Sequence, residues 1–209
     1  MINKKVLIVN EQKDASSRYI SEISDEIAKI LVQRGFITQI IDLGKTSKKK
    51  WPLISDYDAV LLGTWSIVKK LSFGIKEFPP RPLKFLRNNE PEFHKRKIFF
   101  GLFVSDPHLI KMIEDPVKIK EELELIIKTQ LPITPDIYDL FGPVINIRDL
   151  SGYEKDRCID LLRRISKRTG SQIDYNGIND FRNWNQIRDF ALKFAELKEE
   201  LEKDRPIQR

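Results

Sequence analysis

The 209-residue chain has one cysteine and two histidines. Neither an internal disulfide framework nor a structural zinc site can be built from that set. Its longest apolar run, Ile98 to Val104, falls far short of the roughly 20 residues that span a bilayer. No charged segment followed by an apolar stretch opens the sequence, as a signal peptide would require. The expectation is a soluble, cytoplasmic protein with no transmembrane segment. Glycine is missing where several nucleotide folds need it. Asn10 to Ser17 holds none, which excludes the Gly-x-Gly-x-x-Gly fingerprint after a first strand. The chain also lacks a Gly-Lys-Ser or Gly-Lys-Thr P-loop and a Gly-x-Ser-x-Gly elbow. A phosphoryl receiver would want acids after strand one, which Glu11 and Asp14 could mimic, and an aspartate closing strand three. The third strand ends in Gly63-Thr64 instead.

What is present suits one large domain. Residues of hydrophobic type make up 41% of the chain, enough for a core without a metal or disulfide staple. Lys and Arg outnumber Asp and Glu by 37 to 31, a formal charge of +6. The excess gathers at Lys45 to Lys50, Lys69–Lys70 and His94 to Lys97. Such clusters attract phosphate or anionic membrane surface, or simply solvate the ends of buried strands. No zinc-finger, RNA-recognition or glycine-clamp motif accompanies them, so no nucleic-acid partner is expected.

Periodicity sets the order of elements. Val6 to Val9 is a continuous apolar run, the mark of a strand buried on both faces of a parallel sheet. Ile20, Ile23, Ile27, Ile30 and Leu31 then recur at helical spacing from Ser17 onward, and Gly35 ends that helix. Phe36 to Leu43 reads as a second strand closed by Gly44, Asp58 to Gly63 as a third and Lys97 to Val104 as a fourth. Pro79, Pro80 and Pro82 start a turn or cap a helix at Leu83 to Asn88. Asp115-Pro116 opens a helix to about Gln130 that buries Leu123, Ile126 and Ile127. Asp139 to Ile147 supplies a fifth strand. A last helix begins near Asn183, with Trp184, Ile187, Phe190, Phe194 and Leu197 on one face, and its charged tail from Lys198 to Arg209 is expected to fray. Ser151 to Asp180 does not fit the alternation. It reads as an excursion with its own helix at Glu154 to Lys167, in which Cys158 is a small core residue rather than a nucleophile. Five buried strands alternating with helices make a doubly wound α/β sandwich.

Two stretches carry a family resemblance. Lys5 to Ser21 resembles the opening strand, phosphate loop and first helix of flavodoxins. Asn183-Trp184-Asn185-Gln186 through Phe190-Ala191 resembles the Asp-Trp-x-Gln-x-x-x-Phe-Ala of the last helix in flavodoxin-type, menaquinone-dependent protoporphyrinogen oxidases. That group also carries a helical insertion just before this helix, where Ser151 to Asp180 lies here. The resemblance implies a flavodoxin-like five-stranded parallel sheet in the order 2-1-3-4-5. It places one domain over residues 1–203, with an insertion at about 151–180 and a frayed tail at 204–209.

The same resemblance implies FMN as cofactor. Its phosphate would rest at the N-terminus of the first helix, where free N–H groups and the helix dipole favour an anion. The flavodoxin loop Ser/Thr-x-Thr-Gly-x-Thr falls on Gln12 to Ser17, making Lys13, Asp14, Ala15, Ser16 and Ser17 the phosphate candidates. Only Ser17 keeps the family's hydroxyl, with Ser16 as an extra donor. Ala15 replaces the glycine, and Asp14 adds a negative charge that Lys13 and Arg18 offset. Ser16 and Ser17 equally suit ordinary helix capping. The flavin ring would lie between Thr64, Trp65 and Ser66 after strand three and Ser105, Asp106 and His108 after strand four. Trp65 offers a flat apolar surface for stacking, or packs on the nearby prolines. His108 could hydrogen-bond the ring or relay a proton, or lie idle on a loop. Lys69 and Lys70 flank an anionic substrate or solvate the loop. The functional expectation is an FMN-binding electron-transfer protein, in its finer form an oxidoreductase of the protoporphyrinogen oxidase type, with a redox partner or quinone-type acceptor and peripheral membrane contact through the insertion. The alternative is a flavodoxin-fold module that has lost FMN and binds a partner through the same edge.

Overall fold

The computed structural model describes residues 4–12, 18–64, 69–70, 76–105 and 116–203. Its strands in chain order are β1 (Lys5–Asn10), β2 (Ile37–Asp42), β3 (Ala59–Thr64), β4 (Lys69–Lys70), β5 (Lys76–Glu77), β6 (Phe99–Val104), β7 (Ile137–Leu140), β8 (Val144–Asn146) and β9 (Ile178–Asp180). The helices are α1 (Arg18–Gln33), α2 (Pro80–Arg96), α3 (Pro116–Gln130), α4 (Gly152–Thr169) and α5 (Trp184–Lys203). Five strands form one sheet in the order β2-β1-β3-β6-β7, every pair parallel. Counted within the sheet this is 2-1-3-4-5, the flavodoxin-like doubly wound order.

The strand sequences explain why both faces are covered. Every residue of β3 and β6 is buried. Side chains alternate across a strand, so neighbours in sequence enter different cores. Leu7, Val9, Val60, Leu62, Phe100 and Leu102 pack with Phe85 and Leu86 of α2 and Leu123 and Ile127 of α3. Val6, Ile8, Leu61, Phe99 and Phe103 pack with Ile20, Ile23 and Ile27 of α1 and Ile187, Phe190 and Phe194 of α5. The predicted apolar stripes of α1, α3 and α5 are the faces that go inside. Gly35 ends α1 with φ +84°, a left-handed conformation that favours glycine.

Three expectations need correction. The helix expected at Leu83–Asn88 runs from Pro80 to Arg96 and passes through Pro91. Phe85, Leu86 and Phe93 are buried along it, and this face outweighs the one hydrogen bond that Pro91 removes. His94, Lys95 and Arg96 then sit in its last turn, where cations suit the dipole. The charged tail does not fray from Lys198: α5 continues to Lys203 and Lys198 is 1% exposed. Residues 204–209 lie outside the described residues. The fifth strand, expected over Asp139–Ile147, ends at Leu140. Pro143 has no N–H to give a ladder, and at Gly142 a Cβ would lie 1.9 Å from the Phe181 carbonyl oxygen, so another backbone occupies that space. The chain leaves the sheet there, and β8 pairs antiparallel with β9 instead.

Between β8 and β9 the chain makes the excursion that carries α4. A small apolar cluster holds it, made of Ile145, Ile147, Leu162 and Ile165 with Cys158 packed against them. Burial pushes the Cys158 thiol above its ordinary value, which suits packing rather than nucleophilic chemistry. Among the described residues no helix is long and apolar enough to cross a membrane.

Candidate functional site

Doubly wound sheets bind ligands outside the carboxyl ends of their strands, at the point where the chain turns to opposite sides. Here that point is β1, which has β2 on one side and β3 on the other. The composition of the strands changes at this edge. Asn10, Glu11, Thr64 and Ser105 are all buried polar residues, and each ends or follows a strand that is apolar up to that position.

Each is held by named partners. Asn10 donates through Nδ2 to Ser24 Oγ at 3.0 Å, and Ser24 in turn donates to the Ile20 carbonyl of α1 at 2.9 Å. Its backbone carbonyl accepts from Leu43 N at 2.7 Å. Ser105 N donates to the Thr64 carbonyl at 3.0 Å, and Ser105 Oγ donates to the Gly142 carbonyl at 3.2 Å. The ends of β3, β6 and β7 are thereby tied together.

The β2 side of the edge is charged. Asp42 Oδ1 accepts from Gln12 N at 3.0 Å and from Gly44 N at 2.7 Å. A Cβ on Gly44 would lie 2.0 Å from the Gln12 carbonyl oxygen, so that close approach of two backbones needs glycine. Lys45 Nζ donates to Gln12 Oε1 at 2.6 Å. Arg81, in the first turn of α2, donates to the Gly44 carbonyl at 3.2 Å and places Nε 3.9 Å from Glu11 Oε1. Glu11 is fully buried. Lys48 lies beside this cluster. The neighbouring Lys84 ammonium, then burial and the like charge of Arg81, hold its ammonium below the ordinary lysine range.

Of the cofactor-binding candidates singled out from sequence, Thr64 and Ser105 are described, and the structure brings them into contact. Lys13, Asp14, Ala15, Ser16, Ser17, Trp65, Ser66, Asp106 and His108 lie outside the described residues. Sequence reasoning missed Arg81 altogether, and weighed Glu11 only as an acid that a receiver would want. The overlooked signal was an arginine between Pro80 and Pro82, in a helix first turn whose dipole disfavours a cation.

The motif at the start of α5 has a structural explanation. Asn183 Oδ1 accepts from Asn185 N at 3.1 Å and from Gln186 N at 3.2 Å, capping the helix. Gln186 Nε2 donates to Asp139 Oδ2 and to the Leu140 carbonyl, both at 3.1 Å. Phe190 and Ala191 are buried in the core. These residues dock α5 on the carboxyl end of β7. Among the described residues no group of three or more His, Cys, Asp or Glu could hold a metal ion.

No protein-family model matches the chain, and no curated protein matches it. Solved structures do resemble it. Oxidised flavodoxin 1 from Bacillus cereus is 14% identical, over 78% of this chain and 98% of that one, with a TM-score of 0.37. NAD(P)H:quinone oxidoreductase from Methanothermobacter marburgensis is 13% identical, over 82% and 100%, with a TM-score of 0.39. RosB, solved with bound 8-demethyl-8-formylriboflavin-5'-phosphate, is 12% identical, over 96% and 81%, with a TM-score of 0.47. Likeness this distant assigns no chemistry to the chain.

Proposed function

We propose that the chain binds FMN at the carboxyl edge of β1, β3 and β6 and acts as an electron-transfer flavoprotein. The observation that carries this reading is the set of buried polar groups at that edge, in a sheet whose strand order makes the edge a switch point. One of them supports a ligand directly. Asn10 Oδ1 is buried and has no hydrogen-bond partner among the described residues, and such an atom calls for a ligand or water.

The residue types at both ends of the proposed site suit the cofactor. Thr64 and Ser105 supply hydroxyls beside the ring candidates Trp65, Ser66, Asp106 and His108. Lys13, Asp14, Ala15, Ser16 and Ser17 run into α1, whose first N–H groups receive the phosphate. Glu11 would bring a carboxylate near that anion, and its pairing with Arg81 would offset the repulsion. The bound flavin supplies the redox chemistry. On this reading Trp65 would stack on the ring and His108 would hold a proton near it.

The finer reading is an FMN-dependent oxidoreductase of the protoporphyrinogen oxidase type with a quinone-type acceptor. It is supported by the motif from Asn183 to Ala191 and by the excursion just before it. On this reading residues 1–203 are one domain, the excursion at 151–180 is an insertion, and the insertion meets the acceptor or an anionic membrane surface.

The test is the visible spectrum of the purified protein and its titration with FMN and riboflavin. A flavin spectrum is expected, as purified or on addition, with FMN preferred over riboflavin. Trp65→Ala should weaken FMN by about 1 to 2 kcal/mol, the scale of an aromatic contact and its buried area. Ser17→Ala should weaken FMN more than riboflavin. A colourless protein that binds no FMN at millimolar concentration would instead make the chain a partner-binding module on the same fold.

A further inference from the structure

Arg182 lies in the short connection between β9 and α5, and its side chain is only 5% exposed. The guanidinium grips Asp180 in a fork: Nε donates to Oδ1 at 2.9 Å and Nη2 donates to Oδ2 at 2.7 Å. Nη1 donates to Glu22 Oε2 at 2.8 Å. The group also lies 4.5 Å from the centre of the Trp184 ring and 5.5 Å from that of Tyr19. One side chain thus joins the base of the excursion, the start of α5 and the first turns of α1. Burial opposes the charge on both partners, and their mutual bonds outweigh it. Asp180 is held below the usual carboxylate range and Arg182 above the usual arginine value.

The arrangement is no receptor for an outside anion, because Asp180 and Glu22 already neutralise the cation. It is also more than a surface ion pair, which would contribute little. A buried, forked and stacked guanidinium fixes geometry in a way that a lysine cannot. What it fixes is the beginning of α1, which follows directly on Lys13–Ser17. We infer that Arg182 is a positioning residue: it clamps the first turn of α1 against the excursion's base, and so sets the helix end that receives the phosphate. The functional half of this inference rests on the FMN reading above, whereas the clamp itself does not.

Arg188 provides a separate tie further along, donating through Nε to Glu26 Oε1 at 2.7 Å. Loss of Arg182 therefore leaves α1 docked on the sheet and loosens only its first turn. The test uses the full chain carrying Arg182→Ala, Arg182→Lys or Glu22→Gln. Amide hydrogen exchange is read in the free protein, and FMN and riboflavin affinities are read by titration. Arg182→Ala and Arg182→Lys should both speed exchange at Glu22 to Ser24, the first amides bonded within α1, leaving Val6 to Val9 at the wild-type rate. Both should weaken FMN roughly tenfold by lowering the fraction of chains with a competent helix end, with a smaller effect on riboflavin. Glu22→Gln, which keeps the fork and the stacking, should show the same pattern more weakly. Unchanged exchange at Glu22 to Ser24, or acceleration spread evenly through β1, would overturn the clamp. Wild-type affinities for both flavins in Arg182→Ala would overturn its role in positioning. If the wild type binds no FMN while the local exchange effect appears, the clamp stands and the flavin reading fails.

Discussion

The middle of the sheet and its carboxyl edge follow opposite rules within the same strands. In the middle, β3 and β6 bury apolar side chains on both faces, and the phenylalanines stack edge-on, as Phe99 does with Phe194 at 4.9 Å. At the edge, Asn10, Glu11, Thr64 and Ser105 are just as buried and all polar. Burying polar groups costs stability unless each finds a partner, so a chain selected for stability alone would continue the apolar pattern. The edge is where this sequence buries hydrogen-bonding groups in place of apolar ones. That contrast supports the flavin reading proposed for this edge.

The contrast is sharpened first by damage to the interior. Phe103→Ala removes a ring packed against Phe141 and Phe190 and should cost about 3 to 5 kcal/mol in urea denaturation. Gly142→Ala drives a Cβ into the Phe181 carbonyl and should cost about 1 to 3 kcal/mol, the range for overpacking. Its effect should fall most on amide protection in the β8–β9 ladder. At the edge, Asn183→Ala removes the cap of α5 and should cost about 1 kcal/mol of thermal or chemical stability. Equal losses from Phe103→Ala and Asn183→Ala would break the comparison.

The smallest expected effects are pH-dependent and opposite in sign. Burial pushes the Asp136 carboxyl up, although it accepts from Phe100 N at 2.7 Å. A raised folded value means that its contribution is fully present below about pH 3.9, the unfolded value, and is lost as pH rises through the folded one. Asp136→Asn keeps an acceptor for Phe100 N, so the variant should gain on the wild type as pH rises from 4 to 7, read by denaturant midpoints. Asp180 is held low by Arg182 against the cost of burial. Its contribution is present above about pH 3.9 and is lost as pH falls through the folded value. Asp180→Asn should therefore be less stable than the wild type at pH 7 and approach it in acid, measured by denaturant midpoints at each pH.

The interior was legible in the sequence and the edge only partly so. Continuous apolar runs such as Val6 to Val9, and helical spacing such as Ile20, Ile23 and Ile27, report burial directly. Strand five was misread because Val144 and Ile145 are as apolar as Ile137. Only Gly142-Pro143 marks the departure, and its consequence depends on the distant Phe181 backbone. The Glu11–Arg81 pair joins residues 70 positions apart in sequence, a relation that no local pattern carries. Arg182 was hidden for the same reason, since its partners Glu22 and Tyr19 come from the first helix. The place of Thr64 and Ser105 at strand ends was legible because apolar runs lead up to each of them.

The most direct test of the flavin edge is a map of backbone amide shifts on adding FMN to the isotopically labelled protein. The account predicts shifts concentrated at Asn10 to Gln12, Tyr19 to Ile20, Thr64 and Ser105. Asp58 and Asp136, at the opposite ends of β3 and β7, should stay still. Shifts centred on the amino-terminal edge or on α4, with Thr64 and Ser105 unmoved, would contradict it.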